Sequence, residues 1–213
     1  DNPTPSISSL FQEQDKTQNW IYINGNSFDD VNNPSNSVKD GTLTIKGSDF
    51  GPAAAGNKMP AGAKIEINSG AGFVALPADK VVYWQDGSNG NATAQIILPD
   101  TFTAGGPLTL RLTNAYSKVD ADAKTFSLHP RVYSITPSSF TVGAQSSVSL
   151  DGAGFDTNKI NVKVFLNGVE TTNFSVSNSK TIVVSGINTL SPKTYLVKVT
   201  VNSQDSNYPD ANS

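Results

Sequence analysis

The side chains best suited to bind a ligand in this sequence are four aromatic residues in its first half. Trp20 and Tyr22 are two positions apart, and Tyr83 and Trp84 are neighbours. A flat apolar ring can stack on the C–H face of a sugar, so all four are candidates for glycan recognition. Because neighbouring residues of a strand point to opposite faces, Tyr83 and Trp84 cannot both be buried in a simple sandwich. The alternative to a glycan site at Tyr83 and Trp84 is that the tryptophan belongs to the core of the sandwich and the tyrosine is an ordinary surface residue.

Oxygen-rich loops make calcium the metal that the sequence could bind, because this cation prefers carboxylate, amide and carbonyl oxygens. Two acidic pairs lie in the matching loops that follow residue 114 in the first half and residue 202 in the second: Asp120, Asp122, Asp205 and Asp210. A third cluster lies earlier in the chain: Asp29, Asp30, Asn32 and Asn33. None has the spacing of an EF-hand loop. Calcium at the two acidic pairs is one interpretation, and solvated turns in which Asp bonds its own backbone are the other.

The sequence predicts no enzyme activity. It contains no cysteine, which excludes thiol catalysis and thiolate metal sites. Its single histidine, His129, has no accompanying Gly-x-Ser-x-Gly motif, so we expect it to have a hinge or interface role. Pairs of carboxylates that could hydrolyse a glycosidic bond are expected by chance among the many Asp residues, most of which lie in turns. We therefore expect no cofactor other than a possible calcium ion.

Charge and hydropathy restrict the partners. Lys and Arg number 15 against 18 Asp and Glu, for a formal net charge of −3, and no basic block is present. This pattern argues against nucleic acid and against anionic membrane surfaces. No apolar run approaches the roughly 20 residues that span a bilayer, so we expect no direct membrane insertion. A chain that starts at Asp1 rather than Met is typical of a processed product, and we expect an extracellular or cell-surface location.

These candidate residues must be positioned by strands, because the sequence shows no convincing helical periodicity. Apolar and polar residues alternate in short runs separated by Gly, Pro, Asn and Asp, as in half-buried antiparallel strands. Leu108, Leu110 and Leu112 would face a core, with Thr109 and Arg111 on the opposite side. The pattern predicts an all-β protein.

An internal repeat divides the chain into two similar halves. In each half a Pro-led apolar strand is followed by a second strand that runs into Gly-x-x-Phe, at residues 43–50 and at residues 148–155. Residues 63–68 also match residues 162–167, and residues 108–114 match residues 196–202. Three segments in the same order indicate a duplicated domain with a boundary between His129 and Pro130.

The repeat resembles the IPT/TIG family of immunoglobulin-like domains. The family pattern of a Pro-led strand ending in Ser-Ile-x-Pro is present at residues 134–137, and the strand running into Gly-x-x-Phe follows at residues 148–155. The resemblance implies two tandem immunoglobulin-like (IPT/TIG-like) β-sandwich domains, at residues 1–129 and 130–213. The first half has about 30 extra residues before Gly41, including a second strand with Gly-x-x-Phe at residues 21–28. Either this is an N-terminal insertion or the strands there are matched differently.

The second half lacks a counterpart of one strand of the first half. After Leu112 the first half continues through a loop to an apolar strand at residues 124–128, whereas the matching loop of the second half, residues 202–213, has no such strand after it. We therefore expect the second domain to lack its last strand. A neighbouring molecule could supply that strand by edge pairing, which would be a route to self-association.

Three functions fit these expectations. The first is a non-catalytic adhesion or recognition module that binds a protein or a glycan at a surface. The second is a structural subunit of an extracellular assembly, such as a surface layer, filament or virion decoration, completed by strand exchange. The third is an accessory domain of a polysaccharide-acting enzyme. A fold of this class does not distinguish among them.

Overall fold

The structure is a computed structural model that describes residues 2–13, 15–24, 41–120, 122–141 and 143–206. Strands in the first half are β1 Ser6–Gln12, β2 Trp20–Tyr22, β3 Leu43–Ser48, β4 Lys64–Asn68, β5 Phe73–Ala75, β6 Val81–Gln85, β7 Ala92–Ile96, β8 Gly105–Thr113 and β9 Lys124–His129. Those in the second half are β10 Arg131–Thr136, β11 Ser147–Ala153, β12 Val162–Leu166, β13 Val169–Thr171, β14 Phe174–Asn178, β15 Thr181–Ser185, β16 Val197–Val201 and β17 Gln204–Asp205.

The helices in the described part of the chain are three single 3-10 turns, Ala78–Lys80, Lys159–Asn161 and Ile187–Thr189. None of them has the length or the apolar character of a membrane span. The remaining regular structure is strand, so the all-β prediction is confirmed.

The chain forms two compact units. The first comprises residues 1–21, 25–99 and 106–127, and the second comprises residues 22–24, 100–105 and 128–213. The strands form four sheets: β1-β3-β7-β6, β2-β9-β8-β4-β5, β10-β11-β15-β14 and β13-β12-β16-β17. This arrangement confirms a tandem of immunoglobulin-like β-sandwiches. The boundary between residues 129 and 130 stays a prediction, since the two units divide within β9.

Each unit has its own apolar interior, which the period-2 alternation of its strands supplies. In the first unit Ile65, Ile67, Leu110 and Leu112 are buried, while Arg111 between the two leucines is not. In the second unit one buried cluster collects the inward residues of both sheets, among them Val148, Leu150, Val164, Val199 and Val201. The predicted inward face of β8, with Leu108, Leu110 and Leu112, is therefore the observed one.

The Gly-x-x-Phe motif has a packing reason in the first unit. Gly47 lies on β3 opposite a bulge in β1, where the register shifts between Ile7 and Ser9. A Cβ atom on Gly47 would lie 1.9 Å from the carbonyl oxygen of Ser6 and 2.8 Å from the ring of Phe50. Only glycine therefore allows β1 and the buried Phe50 ring to approach β3 this closely.

The second unit repeats the same arrangement. Gly152 of β11 faces a bulge between Val132 and Ser134 of β10, and a Cβ atom there would lie 2.1 Å from the carbonyl oxygen of Arg131 and 2.6 Å from the ring of Phe155. Because the bulge, the glycine and the phenylalanine recur together, the two units share local packing as well as sequence.

The later segments of the repeat match with one difference of register. The ladder pairs Ile65 with Leu112 in the first unit and Val164 with Val199 in the second. By this pairing Leu112 corresponds to Val199. The sequence match of residues 108–114 with residues 196–202 instead aligns Leu112 with Thr200, one residue further along. A one-residue shift between two alternating strands sets apolar residues against polar ones, so the sequence match joins the inward face of β8 to the outward face of β16.

Two expectations concern segments that the repeat does not match. Between β1 and β3 the chain passes to the other sheet and forms β2 beside β9, so part of the extra segment of the first half is a strand. Residues 25–40, which include the end of the second Gly-x-x-Phe match, lie outside the described residues. At the end of the second unit the two-residue β17 pairs with Thr200 and Val201 of β16. A missing last strand stays a prediction, because residues 207–213 also lie outside the described residues.

Candidate functional site

Two of the aromatic candidates lie on opposite faces of β6, as the alternation requires. Trp84 is fully buried, its indole Nε1 donates a hydrogen bond to the carbonyl oxygen of Gly51 at 3.0 Å, and its ring lies 5.7 Å from that of Phe50. Trp84 is therefore the core tryptophan. Tyr83 is half-buried on the outer face, and its hydroxyl donates to Oε1 of Gln85 at 2.6 Å.

The other two candidates, Trp20 and Tyr22, are half-buried on β2, where they alternate with buried isoleucines. Trp20 belongs to the first unit, and its indole Nε1 donates to Oε1 of Gln18 at 3.1 Å. Tyr22 belongs to the second unit, where its ring contacts His129 edge-on at 5.7 Å and lies 5.0 Å from the guanidinium of Arg131. Each ring thus has polar or cationic neighbours within its own unit.

The outer face of the sheet β1-β3-β7-β6 brings a row of residues together that the sequence did not reveal. Phe11 pairs with Thr44, Thr44 with Gln95, and Gln95 with Tyr83. We call Phe11, Thr44, Gln95 and Tyr83 the cross-strand row. It carries one half-buried aromatic ring on each outer strand and two polar side chains between them.

Hydrogen bonds hold the polar centre of the cross-strand row. Gln95 Nε2 donates to Oε2 of Glu13 at 3.0 Å and to Oγ1 of Thr44 at 3.1 Å, and the Thr44 hydroxyl also donates to Glu13. One row further along the same strands, Lys46 Nζ donates to Oγ1 of Thr93 at 2.6 Å. The hydroxyls of Thr44 and Thr93 are buried, so the groups that this face presents to solvent are the Gln95 amide, the Glu13 carboxylate and the Lys46 ammonium, in fixed orientations.

The acidic candidates for calcium have protein partners. Asp120 is buried, and its two carboxylate oxygens accept hydrogen bonds from the backbone N–H groups of Ile7 and Asp122, both at 2.9 Å. The side chain of Asp122 is exposed. Asp205 forms an ion pair with Lys198 at 3.1 Å and accepts a hydrogen bond from Thr200 at 3.0 Å.

No three His, Cys, Asp or Glu side chains of the described residues come close enough together to hold a metal ion. Asp210 and the cluster at residues 29–33 lie outside the described residues. Calcium at Asp120, Asp122, Asp205 and Asp210 stays a prediction.

His129 lies in the second unit, where it is a packing residue. Its Nδ1 donates a hydrogen bond to the carbonyl oxygen of Asp205 at 2.6 Å. Burial lowers the pKa of His129 below its ordinary value, although the Asp205 carbonyl and carboxylate oppose this shift. Such an environment favours the neutral ring with its proton on Nδ1.

A cavity opens at one end of the sandwich in the second unit. It has a volume of about 230 Å³ and lies between the β10–β11 and β15–β16 connections. Its wall is mainly apolar and includes Ile135, Phe140, Val148, Ile187, Leu190 and Val197. We call this feature the end cavity. Connections at the end of such a sandwich are a usual place for binding.

The end cavity carries a positive charge at Lys193, and no acidic residue contributes to its wall within the described part of the chain. The Lys193 ammonium lies 5.1 Å from the ring centroid of Tyr195, whose hydroxyl donates to the carbonyl oxygen of Ser191 at 3.1 Å. The cavity can therefore accept an apolar group that has an anionic neighbour.

Comparison with known proteins gives one family and several solved structures. Residues 130–212 match the family model of the IPT/TIG domain. No curated protein matches the chain. A segment of two fibronectin type III domains from chicken tenascin is 15% identical, with 99% of this chain and 97% of that chain covered and a TM-score of 0.38.

Two proteins of Bacteroides also align. SGBP-B from a xyloglucan utilization locus of Bacteroides uniformis is 12% identical, with 98% of this chain and 49% of that chain covered and a TM-score of 0.32. SGBP-B from the mixed-linkage glucan utilization locus of Bacteroides ovatus is 13% identical, with 91% and 40% covered and a TM-score of 0.27. The chain thus spans less than half the length of these two proteins. Likenesses this distant carry no information about its ligand.

The family match covers the half of the chain in which the Ser-Ile-x-Pro and Gly-x-x-Phe motifs are clearest, and the resemblance drawn from those motifs is confirmed there. Residues 130–212 accordingly carry the sequence pattern of an IPT/TIG domain, folded as a sandwich of the sheets β10-β11-β15-β14 and β13-β12-β16-β17.

Proposed function

We propose that the chain is a non-catalytic recognition module of a secreted or cell-surface protein, and that the end cavity of its second unit binds an apolar side chain of a protein partner. The observation that carries this proposal is the cavity itself, an apolar space of about 230 Å³ bounded by two connections at one end of the sandwich. Concave, mostly apolar sites with a few polar groups are the usual form of a binding pocket.

The size of the cavity suits one large side chain. An aromatic side chain buries roughly 150–250 Å² of surface. At about 25 cal/mol per Å² that burial contributes about 4–6 kcal/mol before the entropic costs of association. A single anchor of this kind gives a weak complex unless flanking contacts add to it. Lys193 supplies one such contact, since it favours a partner with a carboxylate next to the apolar anchor.

Selection of peptides from a random display library tests the proposal, because it makes no prior assumption about which side chain of the partner enters the cavity. The immobilised chain selects peptides from the library, and the selected peptides are titrated against wild type and Leu190→Trp. Leu190 is half-buried at the cavity wall, so a tryptophan there fills the space. The matched control is Ile160→Trp, because Ile160 is 82% exposed and does not line the cavity.

We expect the selected peptides to carry an aromatic or large aliphatic residue beside an acidic one. Leu190→Trp should weaken their binding at least about tenfold, which corresponds to about 1.4 kcal/mol. Ile160→Trp should bind like wild type. Peptides that bind both variants equally, or a library that yields no binder, would contradict the proposal.

A structural subunit of an extracellular assembly is the second candidate. It is favoured by the shortness of β17, because among the described residues no strand pairs with Val197 on the side of β16 away from β12. An open strand edge can pair with a strand from another molecule. Sedimentation velocity at increasing concentration tests this candidate. Larger species in the absence of any ligand would support it, and a constant monomer mass would count against it.

A further inference from the structure

We propose a second binding site in the first unit, beyond the function assigned to the end cavity: the cross-strand row binds a neutral oligosaccharide that lies across the strands of the sheet β1-β3-β7-β6. The row consists of Phe11, Thr44, Gln95 and Tyr83 on four neighbouring strands.

The register of the strands places two aromatic rings at the ends of the row. Phe11 lies on β1 and Tyr83 on β6, which are the two outer strands of the sheet. Adjacent strands are about 4.8 Å apart, so three spacings separate the rings by about 14 Å along the row. A short oligosaccharide can reach both rings at this distance. Both rings are half-buried, so each keeps part of its surface accessible.

The polar centre of the row suits hydroxyl groups. The half-buried side chains of Glu13 and Gln95 can reach a ligand, whereas Thr44 is buried. Hydrogen bonds to Thr44 and to each other fix the orientation of Glu13 and Gln95 before a ligand arrives. Preorganised donors and acceptors lose little entropy on binding. Between two apolar rings, such a centre matches a sugar, whose C–H faces are apolar and whose rim carries hydroxyl groups.

The charges of this face favour a neutral ligand over an acidic one. Glu13 contributes a negative charge beside the row, and Lys46 contributes a positive charge on β3 two residues from Thr44. The Lys46 ammonium donates to Thr93, and the Glu13 carboxylate accepts from Gln95 and Thr44, so each charge already has polar partners. A sulfated or uronic-acid polymer would meet the Glu13 carboxylate at the centre of the site. Neutral hexoses meet no such repulsion.

A glycan array with neutral and acidic oligosaccharides identifies a ligand, and calorimetry then measures its affinity for variants of the full chain. Tyr83→Ala removes one ring, and Phe11→Ala removes the other. Tyr83→Phe keeps the ring and removes only the hydroxyl that bonds Gln85. Tyr116→Ala is the matched control, because Tyr116 is a 38% exposed aromatic residue of the first unit outside the row.

We expect a neutral oligosaccharide to bind, with affinity at least tenfold weaker for Tyr83→Ala and for Phe11→Ala. Tyr83→Phe and Tyr116→Ala should each change the affinity less than threefold. Each variant is first checked for the wild-type fluorescence spectrum of buried Trp84, so that lost binding is not lost folding.

The two proposals can fail separately. Leu190→Trp closes the end cavity and should leave glycan affinity unchanged if the row is the site. Binding that survives both ring deletions, binding only of acidic glycans, or the absence of any neutral ligand on the array would overturn the inference about the row. None of these results would affect peptide binding at the end cavity.

Discussion

Replacing Gly47 with alanine should strongly destabilise the first unit. The added Cβ atom would lie 1.9 Å from the carbonyl oxygen of Ser6, whereas a carbon and a carbonyl oxygen normally stay about 3.3 Å apart. β1 must therefore move away from β3 by about 1.4 Å, the difference between these distances. The ring of Phe50, only 2.8 Å from the new atom, prevents β3 from moving in the other direction.

The free energy of this change can be estimated from its parts. Overpacking costs about 1–3 kcal/mol, and two broken ladder hydrogen bonds between β1 and β3 cost about 1 kcal/mol each, so Gly47→Ala should lower the free energy of unfolding by about 3–5 kcal/mol. Such a loss is a large fraction of the stability of a single domain.

Urea unfolding followed by tryptophan fluorescence measures this loss, because Trp20 and Trp84 both belong to the first unit. The control is Ser8→Ala, because Ser8 is an exposed residue of β1 in the same unit. We expect Ser8→Ala to change the stability by less than about 0.5 kcal/mol. A Gly47→Ala protein as stable as wild type would refute the explanation of the Gly-x-x-Phe motif.

Three further perturbations follow from the structure. Gly152→Ala should destabilise the second unit for the same reason as Gly47→Ala, and hydrogen exchange of β10 and β11 should become faster while that of β4 stays unchanged. Asn114→Ala should lower the free energy of unfolding, measured by urea titration, by about 2–4 kcal/mol. The Asn114 side chain is fully buried and donates hydrogen bonds to the carbonyl oxygens of Pro3 and Asp49. It also accepts hydrogen bonds from the N–H groups of Tyr116 and Lys118. Burial lowers the pKa of His129, so the unfolded chain binds a proton at this residue more readily than the folded chain. The free energy of unfolding of wild type, measured by urea titration, should therefore fall as the pH drops below about 6.5. His129→Gln should show a smaller fall over the same pH range.

The alternation of apolar residues predicted most of the strands, because burial on one face of a sheet leaves a period of two in the sequence. The inward face of β8 agrees with that pattern, because Leu108, Leu110 and Leu112 are buried while Thr109 and Arg111 are only half-buried. The short strands β5 and β13 were not predicted, since three residues are too few to show a period. They pair with β4 and β12 through backbone hydrogen bonds, which do not require particular residue types and so cannot be recognised from the sequence.

The candidate sites depend on contacts that no local pattern contains. Tyr83 and Trp84 had to face opposite ways, but only the packing of Trp84 against Phe50 shows which of them is buried. Gln95 is adjacent to both Thr44 and Tyr83 because of the strand order β3-β7-β6, and this order is not readable from spacing along the chain. The end cavity likewise combines residues from connections that are about 50 positions apart in the sequence.

Amide chemical shifts of the isotope-labelled chain, recorded while a selected peptide is added, test the proposed recognition by the end cavity most directly. We expect the largest changes at residues 135–141 and 187–197, which bound the cavity, and little change on the strands of the first unit. Changes concentrated on β13 or β14, or changes spread evenly over both units, would contradict recognition through the end cavity.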